Sequence, residues 1–219
     1  MNMKDRLCVI STKNPTTVLL ETISAVQKYY PEFDIVVVDS DSTQKEMFIH
    51  VPSDVIIEYA ENKNWEFGAW KFAFQKYNHY KVYMFIQDSL TPISRISSLD
   101  RYYFPYGTFY SYHYNTTFQK GEQLDKIINI YEHTHLHFLS ELDPSTPIIV
   151  MSHNSFITNH ANVPNILQLD DPYLQKKIIK TKIHSMLNER IGGILANVYK
   201  NHIIDFSFHF KKINLHRDY

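Results

Sequence analysis

The chain carries one cysteine and five glycines in 219 residues. A lone cysteine excludes an internal disulfide and a four-cysteine zinc site. Cys8 lies in an apolar run, so a buried structural thiol is expected. No glycine makes a GxGxxG or Walker A pattern, which disfavours a dinucleotide oxidoreductase and a P-loop enzyme. Charge of one sign is also missing. The formal net charge is −1, without the basic excess of a general nucleic-acid binder, so no nucleic-acid partner is expected. No run approaches the ~20 apolar residues that span a bilayer. The opening Met1-Asn-Met-Lys-Asp-Arg6 lacks the apolar core of a signal peptide. These absences point to a cytoplasmic protein with no transmembrane segment. No internal repeat, low-complexity tract or linker divides the chain, so one domain over 1–219 is expected.

What is present is a run of buried-strand patterns. Hydrophobic residues make up 44% of the chain, enough for a sizeable core. Leu7–Ser11, Ile35–Val38, Val55–Tyr59 and Val82–Ile86 read as strands. Val18–Tyr30 and Trp65–Tyr77 show helical spacing, and Pro31 ends the first. The first ninety residues thus read β-α-β-β-α-β, the pattern of an α/β domain with a mostly parallel central sheet flanked by helices. Further on, Arg101–Tyr114 is aromatic and turn-rich, a loop or a short strand pair. Leu124–Leu142 reads as a helix, Ile148–Met151 as a strand, and Pro172–Tyr199 as one or two helices broken at Gly192-Gly193. Phe206, Phe208 and Phe210 alternate with polar residues, which predicts a last strand over Ile203–Phe210.

Two apolar runs end on acids. Ile35–Val38 runs into Asp39 and Asp41, and Val82–Ile86 runs into Gln87-Asp88-Ser89. Ligands of parallel sheets bind outside the carboxyl ends of the strands. Asp39 can therefore take a ribose or a base N–H, although Asp-Ser-Asp-Ser-Thr is also ordinary turn material. Asp88 is the candidate ligand for Mn²⁺ or Mg²⁺, which use few carboxylates plus phosphate oxygens. His209, turned away from the phenylalanines on the last strand, is the candidate second ligand. Asn64 can cap the helix at 65–77, whose free N–H groups suit a phosphate, with Gly68 allowing close approach and Lys71 adding charge; an ordinary capped helix is the plainer alternative. Glu189, before Gly192-Gly193, is the candidate general base, and Arg190 either holds it or contacts phosphate. Asp170 and Asp171 are the reserve base. His133 and His137 share a helix face, but no HExxH pattern accompanies them, and zinc is disfavoured.

Taken in order, these segments resemble a glycosyltransferase of the GT-A fold, a Rossmann-like single domain. Leu7-Cys-Val-Ile-Ser11 with Ile35-Val-Val-Val-Asp39 is similar to the family's nucleotide-binding strand pair. Asn64-Trp-Glu-Phe-Gly-Ala-Trp-Lys71 is similar to its Asn- and Gly-containing segment, and Phe85-Ile-Gln-Asp-Ser89 to its DXD segment. Asn188-Glu-Arg-Ile-Gly-Gly193 and His209 stand where such enzymes keep a base and a last metal ligand. The metal segment departs from the pattern, reading Gln-Asp-Ser rather than Asp-X-Asp.

The resemblance implies a nucleotide-sugar donor, a UDP-sugar, and a hydroxyl acceptor on a glycan or protein-glycan. It implies donor contacts at Ser11, Asp39, Asn64, Gly68, Lys71 and Arg190, a metal at Asp88 and His209, and catalysis by Glu189 or Asp171. It divides the domain into a nucleotide-binding half, 1–92, and an acceptor-side half, 93–219. Ile-, Asn-, Lys- and Tyr-rich composition and small size are similar to glycosyltransferases of large DNA viruses, which would place the protein in the host cytoplasm. A nucleotidyltransferase and a non-catalytic nucleotide-sugar-binding protein are the rival readings.

Overall fold

Apolar strands without polar alternation need cover on both faces, and the sheet of this protein has it. The computed structural model describes residues 4–61, 65–100, 109–117, 147–167, 169, 189, 192 and 203–213. The first four strands are β1 (Lys4–Thr12), β2 (Asp34–Ser40), β3 (Ile56–Ala60) and β4 (Tyr80–Gln87). Helix α1 (Thr17–Tyr29) joins β1 to β2, and α2 (Trp65–Lys76) joins β3 to β4. β5 (Leu90–Pro92), β6 (Phe109–Thr117), β7 (Pro147–Asn159), a short helix α3 (Val163–Leu167), β8 (Ile203–Asp205) and β9 (Phe210–Lys212) complete the described elements. Seven strands form the main sheet in the order β3-β2-β1-β4-β7-β6-β8. β1 through β4 run parallel, β7 is antiparallel to β4, and β6 is antiparallel to β7. β8 is parallel to β6. β5 and β9 pair apart from this sheet.

Alternate residues of each central strand enter opposite cores. Cys8, Ile10, Ile35, Val37, Met84 and Ile86 pack with Leu19, Ile23 and Val26 of α1. Leu7, Val9, Val36, Val38 and Phe85 pack with Phe67, Trp70, Ala73 and Phe74 of α2. Burying a large aliphatic or aromatic side chain is worth about 1.5–3 kcal/mol, so this two-sided cover holds the sheet. Cys8 is buried between strands, and burial pushes its thiol pKa up, as expected of a structural cysteine.

Local signals explain the helices. The Thr16 side chain accepts the Val18 N–H at 3.3 Å and caps α1. Leu19, Thr22, Ile23 and Val26 form its buried face at helical spacing. Tyr30 closes it with an N–H to the Val26 carbonyl, and Pro31 cannot continue the ladder. The expected helix at 124–142 lies outside the described residues, as does the region 172–199 apart from Glu189 and Gly192, both helical.

The last strand is a correction. The pattern predicts one strand over 203–210, but β8 stops at Asp205 and a 3₁₀ turn occupies Ser207–His209. The Asp205 carboxylate accepts the Ser207 N–H at 2.7 Å, and the His209 N–H donates to the Phe206 carbonyl at 2.9 Å. These bonds replace ladder bonds. Phe206 and Phe210 stay buried, while Phe208 is 83% exposed. The turn sends β9 away from the main sheet to pair with β5.

Trp70 anchors the α2 core. It is fully buried, and its indole N–H donates to the Asn154 carbonyl at 3.2 Å. Trp70→Ala is expected to lower unfolding stability by about 3–5 kcal/mol, read as a lower urea midpoint at unchanged slope. A shift under about 1 kcal/mol would contradict this packing.

Candidate active site

Because β1, β2 and β4 are parallel, their carboxyl ends share one edge of the sheet. In register, Thr12 stands opposite Asp39, and Ser11 opposite Gln87. Asp39 is 1% exposed and Asp88 is 2% exposed. The Thr12 hydroxyl donates to Asp88 Oδ2 at 2.5 Å, and the Asp88 N–H donates to the Ser11 carbonyl at 3.0 Å. The Thr22 hydroxyl, from α1, donates to the Asp88 carbonyl at 2.7 Å. These bonds hold the chain rigidly where β4 ends.

Asp39 is built into a turn. Its Oδ1 accepts the Ser42 N–H at 3.1 Å and the Ser42 hydroxyl at 2.5 Å. Its Oδ2 is 3.8 Å from Lys45 Nζ. Asp39 thus caps its own turn and also stands where β2 ends at the carboxyl edge of the sheet. Asn14 braces the same loop, accepting from the Thr43 and Gln44 N–H groups. Tyr59 stands opposite Asp39 on β3 and is 56% exposed, with Lys45 Nζ 4.9 Å from its ring centre. An exposed ring beside a buried carboxylate is suited to stacking a planar base.

The other side of the edge is shaped by a bulge in β7. Pairing with β6 slips between Ser111↔Phe156 and His113↔Met151, which leaves residues 152–155 as surplus chain. His153 and Asn154 take φ of 59° and 50°. Such left-handed residues cost on the order of 1 kcal/mol each and gather at functional sites. The bulge immediately precedes Phe156, the partner of Phe85 on an antiparallel strand, and so lies beside the end of β4. Glu66, in the first turn of α2, ties the two together. Its Oε1 accepts the Gln87 amide at 2.7 Å, and its Oε2 is 3.5 Å from the Asn154 amide. Glu189 Oε1 accepts the His153 N–H at 2.9 Å. A Cβ added to Gly192 would lie 2.4 Å from the Met151 methyl, so glycine lets this segment close on β7.

Lys212 completes the cluster. β9 pairs Lys212 with Leu90, just after the Asp88-Ser89 turn. Its ammonium donates to Gln87 Oε1 at 2.5 Å and to Ser89 Oγ at 2.6 Å.

The structure therefore brings Ser11, Asp39 and Asp88 to one edge and sets Glu189 at the neighbouring bulge. Gly68 and Lys71 lie on α2, partly buried. His209 sits in the 3₁₀ turn with Nδ1 2.9 Å from Ser94 Oγ, not on the strand face from which its role was inferred. Asn64, Asp170, Asp171, Arg190 and the histidines 133, 135 and 137 lie outside the described residues. Sequence reasoning missed Lys212, His153, Asn154, Lys45 and Tyr59. The available signal was the polar run Ser152-His153-Asn154-Ser155 between the apolar Met151 and Phe156.

A divalent ion fits this donor set poorly. Among the described residues, no three His, Cys, Asp or Glu side chains gather as a metal-holding group. Asp88 is the only carboxylate in Gln87-Asp88-Ser89, its Oδ2 holds Thr12, and an ammonium lies on the side chains flanking it. Hard divalent ions need several oxygen ligands and are repelled by an ammonium at contact distance.

No protein-family model matches the chain, and no curated protein matches it. Solved structures do. S. aureus TarS is 12% identical at TM-score 0.51, covering 94% of this chain and 36% of TarS. S. aureus TarS 1-349 in complex with UDP is 12% identical at TM-score 0.50, covering 93% of this chain and 58% of that one. GalNAc-T7, solved with UDP, GalNAc and Mn²⁺, is 12% identical at TM-score 0.49, covering 75% and 37%. At such identity the TarS likeness bears on the fold alone, and that fold is the GT-A fold of glycosyltransferases. The chain spans only 36% to 58% of the length of the two TarS structures. No helix among the described residues is long and apolar enough to cross a membrane.

Burial, and then the Lys212 charge, push the His153 imidazole down to about 4 from 6.5. The unfolded chain therefore binds more protons between these values. Stability rises with pH across that window and is lost as pH falls through it, by up to about 3 kcal/mol. The Glu189 carboxylate, on the His153 N–H, remains in place in a side-chain variant. Asn tolerates the same left-handed backbone, so His153→Asn is expected to flatten this part of the profile in urea titrations from pH 4 to 7. A variant with the parent's slope would show that His153 titrates normally.

Proposed function

We propose that this chain transfers a sugar from a nucleotide-sugar donor, a UDP-sugar, to a hydroxyl on a glycan or protein-glycan acceptor. One observation carries the reading: two buried carboxylates, Asp39 and Asp88, close strands on either side of β1 at the ligand-binding edge of a GT-A sheet. Asp39 and Tyr59 take the base and ribose. Ser11, Asn64, Gly68, Lys71 and Arg190 complete the donor contacts. The domain is 1–219, and strands from both of its halves build the main sheet. The cytoplasmic setting and the viral likeness rest on sequence features alone.

In an inverting reaction the acceptor oxygen attacks the anomeric carbon. The bond to the diphosphate breaks, and its electron pair leaves on the diphosphate oxygen. The acceptor proton passes to a carboxylate. Glu189 is the base, with Asp171 in reserve. The position of Glu189 at the β7 bulge, beside the end of β4, supports this. A non-catalytic nucleotide-sugar-binding protein is the second reading, favoured by the hold of Glu189 on the His153 N–H.

Release of free UDP from a panel of UDP-sugars, with and without acceptor glycans, tests the reading. Tight UDP binding without turnover of any donor would favour the second reading. Glu189→Gln keeps an oxygen for the His153 N–H but removes basicity. Transfer is expected to fall roughly 10²–10⁴-fold with UDP affinity unchanged by calorimetry. A variant at the parent rate would leave Glu189 as a brace of the bulge. Asp39→Ala is expected to weaken UDP binding with the fold retained. Unchanged calorimetric affinity would confine Asp39 to its turn.

A further inference from the structure

We propose that Lys212 takes the role expected of a divalent ion, holding the diphosphate of the donor by its own positive charge, so that donor binding needs no metal. The inference rests on the nucleotide-sugar reading above and concerns the same site.

Position is the first argument. The ammonium contacts the residue before Asp88 and the residue after it, Gln87 at 2.5 Å and Ser89 at 2.6 Å. It thus stands at the carboxyl end of β4, where a diphosphate in a parallel sheet arrives. Both acceptors are neutral. These bonds orient the ammonium at the end of β4.

The surroundings are arranged for an ammonium. The Gln87 amide is fixed from both ends. Its N–H₂ donates to Glu66 Oε1 at 2.7 Å, so its oxygen must face Lys212. A carboxylate at 87 would meet Glu66 as a like charge. The Gln-Asp-Ser departure from Asp-X-Asp is therefore matched by a cation supplied from β9. The fold makes that cation dependable. Lys212 pairs with Leu90, and the Ile213 N–H donates to the Ser89 carbonyl at 2.9 Å. The Lys212 charge is also felt at His153, where it adds to burial in disfavouring the imidazolium.

A phosphate oxygen reaching Lys212 gains a charge-assisted hydrogen bond, stronger than those to an amide and a hydroxyl. As the sugar–oxygen bond breaks, the electron pair left on the diphosphate lies beside a fixed positive charge. Lys212 stays protonated throughout. The acceptor proton leaves by the base.

Calorimetry on the full chain, with inorganic pyrophosphate and with UDP as probes, tests this in EDTA and in Mn²⁺. Both probes are expected to bind in EDTA, with affinity changed less than about threefold by Mn²⁺. Lys212→Met, similar in length but neutral, is expected to weaken both by about 10- to 100-fold. Lys212→Arg is expected to retain most of the affinity. Binding that appears only with Mn²⁺ would overturn the proposal, and that measurement needs no variant to fold. A folded Lys212→Met variant with parent affinity would also overturn it. Sugar transfer that requires Mn²⁺ would sink the Lys212 role but leave the transferase reading standing. Metal-free pyrophosphate binding lost in Lys212→Met, without turnover of any donor, would uphold the Lys212 site and sink the transferase reading.

Discussion

A strand buried on both faces has room for polar side chains only at its ends. That constraint organises this protein. The central strands β1, β2 and β4 send alternate residues into two cores, one under α1 and one under α2. Their polar groups are displaced to the carboxyl edge, where Thr12, Asp39 and Asp88 meet. A buried carboxylate there is tolerated because each is hydrogen-bonded by a neighbouring turn or strand. The site is the outlet of the same burial that stabilises the sheet.

The second layer of the site comes from chain returning to that edge. The surplus residues of β7 bulge beside the end of β4, and β9 folds back onto β5. Glu66, on α2, links the bulge to Gln87. Each of these groups is far from Asp88 in sequence or belongs to another element. Their meeting sets the charge pattern: a carboxylate between two neutral side chains, with an ammonium across them. This pattern, more than the strand ends, separates the site from a metal-holding acidic pair.

Much of the first half was legible in the sequence. Apolar runs marked β1 through β4, helical spacing marked α1 and α2, and the acids at the run ends marked Asp39 and Asp88. Local physics decides such features, because a run buried on both faces leaves its signature in consecutive residues. The expected strand at 148–151 extends to Asn159, since a bulge interrupts the alternation that would have revealed its length. The last strand was misread because three alternating phenylalanines look like a sheet face. Asp205 breaks the ladder with a side-chain bond that no periodicity records.

By itself, then, the sequence determined the parallel α/β half, the buried cysteine and the position of two carboxylates at strand ends. The tertiary structure alone decided what faces those carboxylates. Lys212 reaches Gln87 across 125 residues and Asn154 reaches Glu66 across 88. His209 turned to Ser94 because a 3₁₀ turn replaced a strand. Pairings over such separations depend on strand order, register and bulges. Those follow from how whole elements share a core, not from the residues adjacent in the chain.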